Sequence, residues 1–222
     1  NDRSPLGLLI STVDIAAAVG LCLLTYDDMT SVLMDIVVIA AYMIVRVVLS
    51  LYDKRQDAFA SVGKSVLSVL YIGVPLALAA LLNSMSTHLP HLMLIIFIMI
   101  WLNDTGAYCV GCSIGRHRLF ERLSPKNSWE GFWGGVAFCV GAGVACSFAL
   151  EKGSLLEWIG LGLVVSVFST WGDLFESLMK RSLGVKDSGH LIPGHGGILD
   201  RIDSLLLVAP ACFIYGLLTG LI

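Results

Sequence analysis

Seven runs of mainly apolar residues, at 6–24, 32–51, 62–82, 89–103, 132–150, 155–171 and 205–222, leave this chain few ways to fold. About 17 to 25 apolar residues in a helix cross a hydrocarbon core roughly 30 Å thick, so the runs read as membrane helices. The run at 89–103 is the shortest and is the one expected to lie tilted or half inserted. Composition agrees: 56% of the 222 residues are hydrophobic and 14% are charged, with a mean hydropathy of +0.83, outside the range of an ordinary soluble domain. The expected fold is all-α, a polytopic membrane protein of about seven transmembrane helices. The chain starts at Asn1 with no cleavable leader pattern, and the expectation is that native amino-terminal residues are missing.

Seven crossings put the segments 52–61, 104–131 and 172–204 on one side. Every one of the 14 lysines and arginines except Lys152 falls on that side when each is assigned to its nearer helix end. By the positive-inside rule that side is cytoplasmic. The basic residues form no face or stripe that would recognise nucleic acid.

The segment 172–204 is 33 residues long and crowded with bases, carboxylates, histidines and glycines, which in so apolar a chain marks a functional candidate. Its start continues the sixth run helically, placing Asp173, Glu176 and Ser177 on one face by spacings of three and four. Asp200 and Asp203 are three apart and precede the seventh run. Carboxylates converging from two helix ends suit Mg²⁺, which takes a few carboxylate oxygens and keeps other positions for water and phosphate. The alternative is that Asp200 and Asp203 favour the positive end of a helix dipole, worth about 0.3 to 1 kcal/mol.

Between these carboxylates lies Pro193-Gly194-His195-Gly196-Gly197, flanked by Lys180, Arg181, Lys186 and Arg201. A glycine-rich turn can aim backbone N–H groups at an anion, and the four bases favour phosphate. His190 and His195 belong to no helical metal-binding pair, so hydrogen bonding within the turn is the expected role for each.

The other polar segment carries Asp104 at a membrane edge, either as a site residue or as an interfacial carboxylate. Its bases from Arg116 to Lys126 suit either nucleotide phosphates or anionic lipid head groups. Trp129 and Trp133 read as interfacial anchors. Cys22, Cys139, Cys146 and Cys212 lie within apolar runs as small hydrophobes. Cys109 and Cys112 form a lone C-x-x-C, with His117 as one conceivable further ligand and no second pair to complete a zinc site.

The pattern S-x-x-K-R-x4-K-D-x-G-x-x-I-P-x-H-G-G-x-x-D-R-x-D, filled at every position from Ser177 to Asp203, resembles the CDP-diacylglycerol synthase (phosphatidate cytidylyltransferase) family. W-x-x-D-T-G-A-Y from Trp101 and S-P-K-x-S-W-E-G from Ser124 extend the likeness. Many members of that family carry Lys where this chain has Asn127.

The resemblance implies an enzyme, a nucleotidyltransferase of phospholipid synthesis, that joins CTP and phosphatidate into CDP-diacylglycerol and pyrophosphate. It implies Mg²⁺ and a second cation as cofactors, contact with membrane lipids, and a homodimer. It assigns catalysis to Asp173, Asp200, Lys180 and Arg201. Substrate binding would fall to Lys126, Ser177, Arg181, Lys186, Asp187, His195, Gly196 and Gly197, and metal binding to Asp173, Asp200, Asp203 and Asp104. The chain is expected to be one integral membrane domain over 1–222, with amino-terminal helices in 1–100 and the catalytic part in 101–222. The expected location is the bacterial cytoplasmic (inner) membrane.

Two rival readings have distinct signatures. A CTP-dependent lipid kinase would transfer the γ-phosphate to a neutral hydroxyl and need a general base, for which His190, His195 or Asp187 is available. A transporter would hold its charges at mid-membrane, where this chain offers only Asp14, Asp35 and Arg46, which can pair between helices.

Overall fold

The computed structural model describes residues 5–24, 29–53, 57–85, 89, 91–150, 152–185, 188 and 197–222. Among them are seven helices long and apolar enough to cross a membrane: Pro5–Leu23, Met34–Leu51, Ala58–Met85, Leu92–Ile114, Trp129–Ala149, Leu155–Ser182 and Leu199–Thr219. The chain is therefore an all-α integral membrane protein. Large apolar side chains such as Phe148, Leu156 and Leu218 point outward and are about four-fifths exposed, as lipid contact requires and water would penalise.

The chain divides into two compact units, Asn1–Met85 and Ser86–Ile222. In the first, α1 (Pro5–Leu24) and α2 (Met29–Leu51) pack with α3 (Ala58–Ser68), which passes through a π-helical turn at Val69–Gly73 into α4 (Val74–Met85). Pro75 has no N–H to give back along the helix, and the π turn shifts the hydrogen-bond frame just ahead of it. Ala17, Leu21, Tyr42, Val69 and Ala77 form the core. Beside it Tyr42 Oη donates to Asp14 Oδ1 at 2.9 Å. The buried Arg46 lies 3.8 Å from the same oxygen and donates to Ser61 Oγ at 3.0 Å. Asp14 and Arg46 thus pair between helices.

The second unit contains α5 (Leu92–Ile114), a hairpin of β1 (Arg118–Phe120) and β2 (Ser124–Ser128), then α6 (Trp129–Ala149), α7 (Leu155–Ser182) and α8 (Leu199–Thr219). The strands are antiparallel, with Arg118 opposite Ser128 and Phe120 opposite Ser124. Successive helices pack on one another, and α5 also meets α7. The α5–α6 seam is glycine-lined: a Cβ on Gly106 would stand 2.9 Å from the Gly134 carbonyl oxygen, and one on Gly134 would stand 2.8 Å from that of Gly106. Beside the seam, the buried Asn103 Oδ1 accepts from Ser166 Oγ at 2.7 Å, tying α5 to α7.

One expectation needs correction. The run at 89–103 was expected to stop there and open a polar segment, but α5 continues to Ile114. Its hydroxyls turn inward on their own helix: Thr105 Oγ1 donates to the Trp101 carbonyl at 2.8 Å, and Ser113 Oγ donates to that of Cys109 at 2.7 Å. Bonding back to the preceding turn removes the polar groups that would otherwise favour a loop.

Candidate active site

Gly172 lets α7 and α8 approach closely where the site forms. A Cβ there would lie 2.8 Å from the Asp203 carbonyl oxygen and 2.9 Å from Ser204 Cα. The next residue, Asp173, and Glu176 one turn on share a helix face, and Asp203 on α8 completes a trio whose ligand atoms all lie within 4.8 Å of one another. Asn127, at the end of β2, donates from Nδ2 to Asp173 Oδ2 at 3.2 Å and orients that carboxylate. Asp203 Oδ1 accepts from the Ser204 amide at 2.8 Å.

Glu176 is the most enclosed of the three at 1% exposure. Its Oε2 pairs with Lys180, four residues along α7, while its Oε1 is buried with no hydrogen-bond partner among the described residues. An orphaned buried carboxylate oxygen is costly. A trio of hard oxygen donors around it fits a hard divalent cation such as Mg²⁺.

Asp200, in the first turn of α8, is differently engaged. It accepts from Lys180 Nζ at 2.9 Å, the Ser188 amide at 3.1 Å, Ser188 Oγ at 2.8 Å and the Gly197 amide at 2.8 Å. It therefore holds Ser188 and Gly197, the residues on either side of 189–196, against the start of α8.

A cavity of about 760 Å³ opens between α5 and α8. Leu94, Phe97 and Trp101 make one end apolar, and Asp104, Arg201 and Asp203 make the other polar. Such a groove carries the polarity of an amphiphile along its length.

Of the residues expected in the site, Asp173 and Asp203 come together, Asp104 shares the groove with Asp200 and Asp203, and Lys180 bridges Glu176 and Asp200. Ser177 is half-buried on α7, Arg181 and Arg201 are exposed, and Gly197 is buried. Lys126 is exposed on β2. Lys186, Asp187, His190, His195 and Gly196 lie outside the described residues. The spacing of three places Glu176 on the Asp173 face of α7, and the structure has it there, although Glu176 is not among the metal ligands expected above. Asn127 is visible in the sequence as a departure from the family pattern, but its bond to Asp173 is not, since no local pattern encodes it. Cys109 and Cys112 are exposed free thiols on α5, and His117 Nδ1 instead meets Glu130 Oε1 at 2.6 Å. Trp129 and Trp133 are exposed at the start of α6, where interfacial anchors belong.

Comparison with known proteins bears on the whole length. The profile of the cytidylyltransferase family matches residues 2–219. Phosphatidate cytidylyltransferase of Staphylococcus aureus (strain COL) is 39% identical over 160 residues, covering 71% of this chain and 60% of that protein. The enzymes of that name from Staphylococcus haemolyticus (strain JCSC1435) and Staphylococcus epidermidis (strain ATCC 35984) are 38% and 37% identical over the same extent. The matched stretch thus spans three-fifths of the length of these curated relatives. With the family profile matched across both units and the carboxylates gathered where the signature segment leads into α8, the chain belongs to the cytidylyltransferase family.

Proposed function

We propose that this chain transfers the cytidylyl group of CTP to phosphatidate, yielding CDP-diacylglycerol and pyrophosphate for phospholipid synthesis. The observation that carries this reading is the meeting of a carboxylate trio, Asp173, Glu176 and Asp203, with the polar end of a groove whose other end is apolar. A lipid phosphate and a nucleotide triphosphate need such a junction. The relatives' name, phosphatidate cytidylyltransferase, supports both substrates.

In the reaction an oxygen of the phosphatidate phosphate attacks the α-phosphorus of CTP. The bond from that phosphorus to the α,β-bridging oxygen breaks, and its electrons leave with pyrophosphate. The attacking group is already an anion, so positioning and charge neutralisation dominate and no strong general base is required. Asp173, Glu176 and Asp203 would hold Mg²⁺, which when bound neutralises phosphate charge. Asn127 keeps the Asp173 carboxylate turned toward the trio. Arg201, at the polar end of the groove, draws the lipid phosphate in from the side while the acyl chains lie along Leu94, Phe97 and Trp101. Lys126 and Arg181 meet the triphosphate. The one-sided distribution of lysine and arginine supports a site facing the cytoplasm from the bacterial inner membrane.

The test uses detergent-solubilised protein with phosphatidate, Mg²⁺ and CTP labelled at the α or γ position, with Asp203→Asn as control. The reading predicts α label in the lipid, γ label in pyrophosphate, and loss of both in the variant. Transfer of γ label to lipid would replace it with a kinase.

A further inference from the structure

Lys180 stands inside the acidic site, in a position at odds with a fixed structural salt bridge. Its ammonium pairs with Glu176 Oε2 and lies 2.9 Å from Asp200 Oδ1, so one ammonium is shared between the buried Glu176 and the half-buried Asp200. Three carboxylates with ligand atoms within 4.8 Å repel one another strongly where little water reaches them. A single lysine relieves that repulsion only in part. It meets one Glu176 oxygen and leaves the other, Oε1, buried without a hydrogen-bond partner.

Two further features suit a displaceable charge. Lys180 sits in the last turn of α7 with its side chain 18% exposed, and a four-carbon stem can swing toward solvent at small cost. Asp200, its second partner, has three other donors in Ser188 Nα, Ser188 Oγ and Gly197 Nα, so it does not need the lysine to stay satisfied. Glu176 Oε1 has no such set of donors.

We infer that Lys180 is a built-in placeholder: its ammonium occupies the acidic site when no metal is bound and is displaced by a divalent cation, freeing it for a phosphate of the arriving nucleotide. This rests on the proposed cation site at Asp173, Glu176 and Asp203. The site is thereby kept from standing empty with unbalanced charge, and a basic group is released at the moment a polyphosphate needs one. Lys180 is in this account a competitor of the metal, the reverse of what a supporting residue would be.

That reversal sets the test. Mn²⁺ binding to the solubilised full chain without nucleotide is followed by electron paramagnetic resonance for wild type, Lys180→Met and Asp203→Asn. Removing the competitor is expected to tighten Mn²⁺ binding by about fivefold or more, a change comparable with the lower end of ordinary coupling between binding events. Unchanged or weaker binding in a folded Lys180→Met protein overturns the inference. Wild type binding Mn²⁺ no better than Asp203→Asn would instead remove the cation site itself, and the placeholder with it. A second measurement needs no substitution at Lys180: acetylation of its amine by acetic anhydride, read by mass spectrometry against the exposed Lys126, is expected to rise when Mg²⁺ is added to wild type. A yield that stays level or falls overturns the inference.

Discussion

Replacing Gly172 by alanine is a direct way to move the two halves of the carboxylate trio apart without altering any ligand. The new methyl would lie 2.8 Å from the Asp203 carbonyl oxygen and 2.9 Å from Ser204 Cα, whereas ordinary van der Waals contact begins at 3.4 Å. Both obstacles are backbone, so no side chain can swing aside. Helix α8 must retreat by about 0.6 Å or tilt, and it carries Asp203 with it; overpacking of this kind typically costs roughly 1 to 3 kcal/mol. A misplacement approaching 1 Å at a reacting centre costs about a hundredfold in rate, so a fall in kcat of about tenfold to a hundredfold is expected. The assay is label transfer from CTP to phosphatidate across a Mg²⁺ titration, with thermal unfolding measured alongside. The control is Gly141→Ala, where a Cβ meets nothing within 4 Å and turnover should match wild type. Wild-type turnover and Mg²⁺ dependence in Gly172→Ala would refute the claim that this helix approach sets the site.

Asn127→Ala removes the donor to Asp173; turnover should fall and the Mg²⁺ concentration for half-maximal rate should rise, by about fivefold to tenfold for a net hydrogen bond of roughly 1 kcal/mol or slightly more. Ser166→Ala takes the hydroxyl away from Asn103 Oδ1, leaving that buried oxygen only a weak thiol contact at 4.0 Å from Cys139. Unfolding stability should drop by about 1 to 3 kcal/mol, while Mn²⁺ affinity, measured on the folded fraction, should not change. Chelation with EDTA should abolish label transfer, and excess Mg²⁺ should restore it; transfer that persists under EDTA would count against the cation site.

Much of the membrane architecture was legible because lipid imposes a length and composition on anything that crosses it. The seven runs needed no tertiary knowledge. The helix ends were harder: α5 runs through Asp104-Thr105-Gly106 because its hydroxyls are satisfied by their own helix and its glycines meet α6, and neither fact is visible in local polarity. The short β1–β2 hairpin fell inside a segment read for its bases and its family motif, neither of which encodes strand pairing. In the site, spacing alone placed Asp173 and Glu176 on one face. Which α8 carboxylate would meet them depended on the approach at Gly172. Asp200 and Asp203 look equivalent as a pair three residues apart, yet Asp200 is taken up by Ser188, Gly197 and the Lys180 ammonium that it shares with Glu176, while Asp203 joins Asp173 and Glu176 in the trio. That distinction arises from how the chain enters α8, which periodicity does not record.

The order of helices along the chain has a bearing on biosynthesis. Asp173 and Glu176 arrive with α7, but their companion Asp203 arrives only with α8, which follows all the other described helices. Synthesis proceeds from the amino end and earlier segments settle first. A nascent chain halted before α8 therefore has an unfinished trio, and Lys180 has only Glu176 to hold. On the proposed reading, ribosome-bound intermediates would sit in the bilayer without the complete carboxylate trio, and affinity for metal and nucleotide would emerge only as the last of these helices is inserted.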